Sequence, residues 1–389
     1  MKKIMLCSII IMSILILCLY YAQNSNKKIY KNTVNSSHVI NQNNLTMMYE
    51  TEAGSGEYQV TSDTTWPQDG YIFNEALSKC ENGSKLTWDD ENKRVIMQAN
   101  ISDKCYVYFD IQSFANYIIN NVYTGNDGDN DLYYHDGVGT YTNADQEAGD
   151  NSYRFSGANP NNYVCFGSDV MPCPENNLYR IIGVFDNSEV KLIKSSELIY
   201  SGWGDYQNYY WGDSYINESL NTTFVNSFTD EWQSKILEKE WIVGGNTRDN
   251  IVNSNVKNAY FYELINYNTS GEYLYTDKIG LIYISDYTYA TIPDNWTIII
   301  NNYSPSISDN NWMYMTSKRE WTITRASNIS DVFLVGNDDS ITKSGVDIAV
   351  SALAGDLTNN AYARPTFYLI PNVIYISGTG TQTDPYRIA

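Results

Sequence analysis

The stretch Leu178-Tyr179-Arg180-Ile181-Ile182-Gly183-Val184-Phe185, followed by Asp186-Asn187 and then Val190-Lys191-Leu192-Ile193, decides the fold. Two runs rich in β-branched and aromatic residues flank a short polar turn, which is the pattern of a β-hairpin. Downstream, the chain alternates short strand and short helix patterns as far as Ala389. Thr229 is placed to cap a helix carrying Trp232, Ile236 and Leu237, with Phe228 as a hydrophobic staple. Val256, Tyr260 and Leu264 recur at four-residue steps and predict a helix over 256–266. Ile279-Gly280-Leu281-Ile282-Tyr283-Ile284 reads as a buried strand. Trp312-Met313-Tyr314-Met315 and Trp321-Thr322-Ile323-Thr324 read as short strands, and Pro365–Leu369 and Val373–Ile376 come last. This mixed order with small helices predicts an α+β domain over 151–389 and excludes a doubly wound sheet.

Working outward, residues 46–110 read as a small, sandwich-like β module. Gly56–Thr61 is a short strand, Lys85–Trp88 and Arg94–Ala99 form a hairpin, and Cys105–Phe109 closes the unit. Residues 111–150 comprise a helix (Phe114, Ile118 and Val122 at four-residue steps) and then an acidic, Gly- and Asn-rich linker or long functional loop. Residues 23–45 lack periodicity and read as a tether.

The first 22 residues set the compartment. Met1-Lys2-Lys3 carries positive charge, and the 19 residues Ile4 to Ala22 are almost wholly apolar. At about 1.5 Å per residue they reach ~28 Å, close to the ~30 Å hydrocarbon core of a bilayer. Tyr20-Tyr21-Ala22 is a poor cleavage site, so the expectation is an uncleaved N-terminal helical anchor with the lysines inside; secretion after cleavage is the alternative. The bulk of the chain is then on the extracellular face. A net charge of −20 repels phosphate backbones, which excludes nucleic acid as a partner. Of six cysteines, Cys7 and Cys18 lie in the leader. The spacing of the other four favours Cys80–Cys105 and Cys165–Cys173, worth about 3.5 and 2.6 kcal/mol on the chain-entropy model. An oxidising exterior favours these bridges over zinc, and no C-x-x-C motif is present.

Several segments carry a resemblance. Gly157-Ala158-Asn159-Pro160-Asn161-Asn162-Tyr163-Val164-Cys165-Phe166-Gly167, Asn177–Phe185, Ala363-Arg364-Pro365-Thr366-Phe367-Tyr368-Leu369 and the tail Ser377–Ile388 resemble a family of uncharacterised, anchored surface proteins of gut Gram-positive bacteria. The resemblance covers roughly residues 46–389 and implies location and layout, not activity. The Trp-rich run ending in an Arg-Pro strand is also similar to C-type-lectin-like folds of the formylglycine-generating-enzyme type, a likeness of fold alone. Cys165 and Cys173 sit in a structural loop with Pro172 and Pro174, so formylglycine chemistry is not carried over.

The aromatic load, 35 Tyr and 9 Trp, supplies the main functional candidates. Trp203-Gly204-Asp205 and Trp211-Gly212-Asp213 repeat after eight residues, with Tyr206, Tyr209 and Tyr210 between them. Flat rings beside carboxylates suit a sugar: the apolar face stacks and the hydroxyls bond oxygen. Trp203, Trp211, Trp312 and Trp321 are therefore stacking or packing faces, and Asp205 and Asp213 hydroxyl acceptors. The competing reading has the same rings filling the core. Asp127-Gly128-Asp129-Asn130-Asp131 can aim Asp127, Asp129 and Asp131 at one Ca2+, although Leu132 and Val138 break an EF-hand pattern. A solvated acidic loop is the plainer reading. Support for catalysis is thin. His135 lies in Tyr134-His135-Asp136 with no nucleophile elbow, and Asp205, Asp213, Asp286 and Glu320 are the carboxylates that could pair for glycosidase work. Arg364 is expected to hold a strand start by hydrogen bonding. The expected function is non-catalytic binding of a glycan or of a host or cell-surface protein. The alternatives are a polysaccharide-processing enzyme and a structural spacer.

Overall fold

The computed structural model describes residues 45–61, 67, 70–89, 94–98, 103–126, 128, 130–137, 149–185, 188–197, 199–204, 210–243, 247–266, 273–303, 305–315, 318–325, 332–336, 345–349 and 360–389. The leader and the tether, apart from Leu45, lie outside these residues; Leu45 begins a strand. Among the described residues no helix is long and apolar enough to cross a membrane. The chain is a mixed α+β protein, mostly strands in several sheets with short helices, and divides into two compact units at Ser113/Phe114.

The first unit contains β1 (Leu45–Glu50), β2 (Tyr58–Thr61), β3 (Tyr71–Cys80), β4 (Lys85–Asp89), β5 (Arg94–Gln98) and β6 (Cys105–Ile111). Four of these form a sheet in the order β2-β1-β6-β3, and β4 and β5 pair as the hairpin the sequence predicts, Lys85 opposite Gln98. β6 alternates, turning Cys105, Val107 and Phe109 into a small core with Met47, Leu86 and Val95. Two carboxylates tie the turns. Glu50 accepts the backbone N–H groups of Gly56 and Ile111, and Asp103 accepts those of Asn82 and Ser84. Cys80 and Cys105 lie opposite each other in the β3–β6 ladder and are disulfide-bonded.

The second unit opens with α1 (Phe114–Asn121), which buries Phe114, Ala115 and Ile118. Next come β7 (Leu132–Tyr134), β8 (Tyr153–Phe155), β9 (Tyr163–Cys165), β10 (Leu178–Phe185) and β11 (Glu189–Lys194). The β10–β11 hairpin is antiparallel as predicted, and its turn at Asp186-Asn187 lies outside the described residues. Seven of eight β10 residues and all of β11 are buried, so both faces of the hairpin are covered. A Cβ at Gly183 would stand 2.2 Å from the Tyr153 carbonyl oxygen; the glycine is what lets β8 lie alongside β10.

The chain continues through β12 (Ile199–Ser201), α2 (Tyr215–Glu218), α3 (Asp230–Ser234), β13 (Lys239–Ile242), α4 (Arg248–Val252), α5 (Val256–Tyr260), β14 (Leu274–Asp277) and α6 (Ile284–Tyr289). It ends with α7 (Pro305–Ser308), β15 (Arg319–Arg325), β16 (Val332–Gly336), β17 (Gly345–Ala349), β18 (Ala361–Ala363), β19 (Thr366–Tyr368), β20 (Tyr375–Ser377) and β21 (Tyr386–Ile388). One sheet runs β19-β11-β10-β9-β21-β20, with β8 joined to β10 and β7 to β8; a second runs β12-β18-β15-β16-β17; β13 and β14 pair alone. Thr229 caps α3 as predicted, its hydroxyl accepting the Trp232 N–H. Cys165, at the end of β9, is disulfide-bonded to Cys173.

Two expected strands are absent. Ile279–Ile284 is buried, but only Gly280 bridges a neighbour, Thr366, and helix α6 starts at Ile284. The cause is local: Asp286 accepts the N–H of Tyr283, and Glu263 accepts those of Ile284 and Ser285, which satisfies the open donors of a first helical turn. Trp312–Met315 follows α7 as a turn, with the Asn311 side chain accepting the Met313 N–H. Conversely, β7 lies inside the acidic stretch read as loop.

The first unit has few core residues, so its bridge matters. A Cys80→Ala/Cys105→Ala variant is expected to lose about 3 kcal/mol of stability in that unit, measured by urea denaturation against the wild type.

Candidate functional site

Described residues of the second unit line a half-open cavity of about 200 Å3 where β11, the β13 strand, α5 and α6 converge. Its base is a set of buried ions. Arg154 on β8 donates to Asp286 Oδ1 at 3.2 Å and to Asp150 Oδ2 at 2.5 Å, and its Nε reaches the Ser152 hydroxyl at 2.9 Å. Lys191 on β11 donates to Asp286 Oδ2 at 2.5 Å. Arg154, Lys191 and Asp286 are each at most 2 % exposed. Nearer the rim, Lys239 and Glu189 pair at 2.5 Å.

Aromatic rings wall in the cations. The Lys191 ammonium lies 4.6 Å from the Tyr283 ring centroid, 5.1 Å from Tyr368, 5.5 Å from Trp241 and 5.7 Å from Phe185. The Arg154 guanidinium lies over Phe185, Tyr289 and Tyr260. Ring faces carry negative potential and compensate part of the lost hydration.

The environment moves the titrations. Burial lowers the Lys191 ammonium, and Asp286 offsets part of that effect. Burial works to raise the Asp150 carboxyl, but Arg154 and the Ser152 hydroxyl outweigh it and hold it down at about 2. Burial also works against the charged Arg154, but Asp150 and Asp286 overcome it and raise the guanidinium above its ordinary value. Burial raises Glu263, against the hydrogen bonds it receives from Thr324, Ser285 and Ile284. His135 packs edge-on against Tyr289 at 4.6 Å; burial and then Arg154 push it down to about 3.

The sequence candidates are distributed differently. Trp203, Trp211 and Trp321 form one wholly buried cluster, with Trp203 centred 5.6 Å from each of the others. Trp211 donates its indole N–H to Asp277 and Trp321 donates to the Ser201 carbonyl. Trp312 is buried elsewhere, donating to the Phe155 carbonyl beneath the Arg180 guanidinium. Of the two roles expected of these four, stacking or packing, the structure places them in packing: all are buried, and the indole donors of Trp211, Trp312 and Trp321 are bonded inside the protein. Asp213 is exposed at the turn before α2. Asp205, Tyr206 and Tyr209 lie outside the described residues, as do Asp127 and Asp129. Asp131 accepts the Thr124 hydroxyl and its neighbour's N–H. Among the described residues the one cluster of three potential metal ligands is Cys80, Asp103 and Cys105, and its sulfurs are bonded to each other. Of the carboxylates considered for glycosidase work, Asp286 is held by Arg154 and Lys191, and Glu320 by a two-pronged bond from Arg364. That bond, with a third from Arg364 to the Met313 carbonyl, is the structural role expected of the arginine.

Arg154, Lys191, Glu189, Trp241 and Tyr368 were not singled out from sequence. Their signal was present, since Arg180, Lys191 and Lys194 interrupt an otherwise apolar hairpin. Comparison with known protein families, with curated proteins and with solved structures finds no match for the chain.

The buried neutral histidine sets a pH dependence. Its unfolded form binds a proton below about 6.5 while the folded form does not until about 3, so His135 contributes stability that is lost as pH falls between those values. Asp150, depressed when folded, adds a loss below its ordinary value near 3.8. The thermal midpoint of the second unit is expected to drop from pH 7 to pH 4, and His135→Phe to flatten that slope, as read by differential scanning calorimetry.

Proposed function

We propose that the chain is an extracellular, membrane-anchored binding protein that takes one sugar unit of a glycan in the Lys191 cavity, without converting it. The observation carrying this reading is that the buried charges at the cavity are already paired with each other while its walls are aromatic. A charged ligand would have to break an internal pair. A neutral ligand rich in hydroxyls needs only the lone pairs and protons those groups still offer, with ring faces for its apolar side. The volume, below the ~300–1,000 Å3 of sites that enclose drug-sized ligands, suits a single ring.

The two disulfides support an oxidising exterior, and the acidic surface suits a neutral partner. The hydrophobic leader is the proposed membrane attachment. For the finer architecture we take the second unit to be C-type-lectin-like. The pairing of β21, at the chain end, with β9 near the start of the unit supports that reading. Calcium at Asp127, Asp129 and Asp131 is kept as a dependence to be tested.

The test is a glycan array probed with the purified full chain in detergent, with and without a chelator. Binding to a neutral glycan is expected, and Glu189→Gln or Lys239→Met is expected to weaken it about tenfold or more, the worth of a charged hydrogen bond. An array that retains nothing, or binding unchanged in both variants, overturns the reading. Capture of a protein with no glycan bound would overturn it in favour of a protein partner.

A further inference from the structure

We propose that Lys191 and Asp286 are joined by an amide bond between Nζ and Cγ, an intramolecular cross-link that ties strand β11 to helix α6. The inference is independent of the ligand.

Four observations carry it. The first is isolation from water. Lys191 is 1 % and Asp286 2 % exposed, and the two touch at 2.5 Å. The pairs Lys235–Glu231, Lys239–Glu189 and Lys318–Glu197 each keep one side chain at 34 % exposure or more, where water competes for both partners. The second is the surroundings. Aromatic rings enclose the amine, and burial shifts it toward its neutral, nucleophilic form.

The third is the arrangement at the carboxyl group. Lys191 approaches Oδ2, while Arg154 donates to the other oxygen, Oδ1. One proton passes from Nζ to Oδ2, and the neutral amine attacks Cγ. Arg154 stands where the developing charge on Oδ1 needs a donor. A second proton passes from nitrogen to Oδ2, which leaves as water and gives up the Tyr283 N–H it accepted, while Glu263 keeps the next two N–H groups of the turn. One N–C bond forms, one C–O bond breaks, one water is released, and no oxidant or reductant is needed. The adjoining cavity gives that water an exit, and fixed proximity replaces the concentration the reaction lacks in solution.

The fourth is charge balance. Condensation removes one buried cation and one buried anion together. Arg154 is not left unpaired, because Asp150 holds its other nitrogen at 2.5 Å. Deleting two buried charges while leaving a complete pair relieves the desolvation that a simple ion pair would have to sustain.

The test is tryptic mapping of the reduced, purified full chain by mass spectrometry. Trypsin does not cut after an acylated lysine, so the expected product is Ile181–Lys194 joined to Ile279–Lys318, lighter than the two peptides together by the mass of one water. Lys191→Arg, which keeps the positive charge, is expected to yield the two peptides separately. Recovery of Ile181–Lys191 and Ile279–Lys318 as separate, unmodified peptides from the wild type overturns the proposal. That readout needs no ligand, so failure of the glycan reading leaves it standing, and its own failure leaves the glycan reading standing.

Discussion

The second unit depends on keeping Asp150, Arg154, Lys191 and Asp286 together in its interior. Each ion alone would cost several kcal/mol of lost hydration, so none is tolerable without a partner. Because the members come from β8 and the loop before it, from β11 and from α6, the set fixes how those three elements meet. The helix is itself a product of the arrangement: Asp286 closes its first turn while facing the cations on its other side. Removing one member of such a set leaves an uncompensated buried charge, a loss of about 3–5 kcal/mol.

The same constraint recurs through the unit. Arg364 is clamped by Glu320, and Arg180 is held by the Asn162 side chain and two backbone carbonyls over the Trp312 ring. Glu263 is buried under two helix N–H groups and the Thr324 hydroxyl. A core with this many ions needs large rings with polar edges. That accounts for much of the Tyr and Trp in a chain with few charged residues: the rings cover cations, while indole N–H groups and several phenol hydroxyls bond within the protein.

Much of the layout was legible. The β10–β11 hairpin, the β4–β5 hairpin, the cap at Thr229 and both disulfides follow from local pattern and spacing, because each is decided by residues close in the chain. What was not legible depended on distant partners. Ile279–Ile284 has the composition of a strand, and it becomes the lead into a helix because Glu263, in the helical turn Phe261–Ile265 that follows α5, reaches it. Trp203 and Trp211 have the composition of a sugar platform, and they become core because Trp321 and Asp277, both distant in sequence, meet Trp203 and Trp211 respectively. The alternation of β11 would send Lys191 to solvent on a one-sided sheet; with both faces covered it is sent inward instead.

Composition and short-range pattern determined the class of this protein: mixed α+β, short elements and four cysteines paired locally. These are properties of neighbouring residues, and periodicity reports them. Which polar groups are buried, which rings are covered and where a cavity remains were decided by tertiary structure alone. They depend on contacts between residues such as Lys191 and Asp286, 95 positions apart, and no local pattern encodes whether a charge at one position will find its counter-ion at the other.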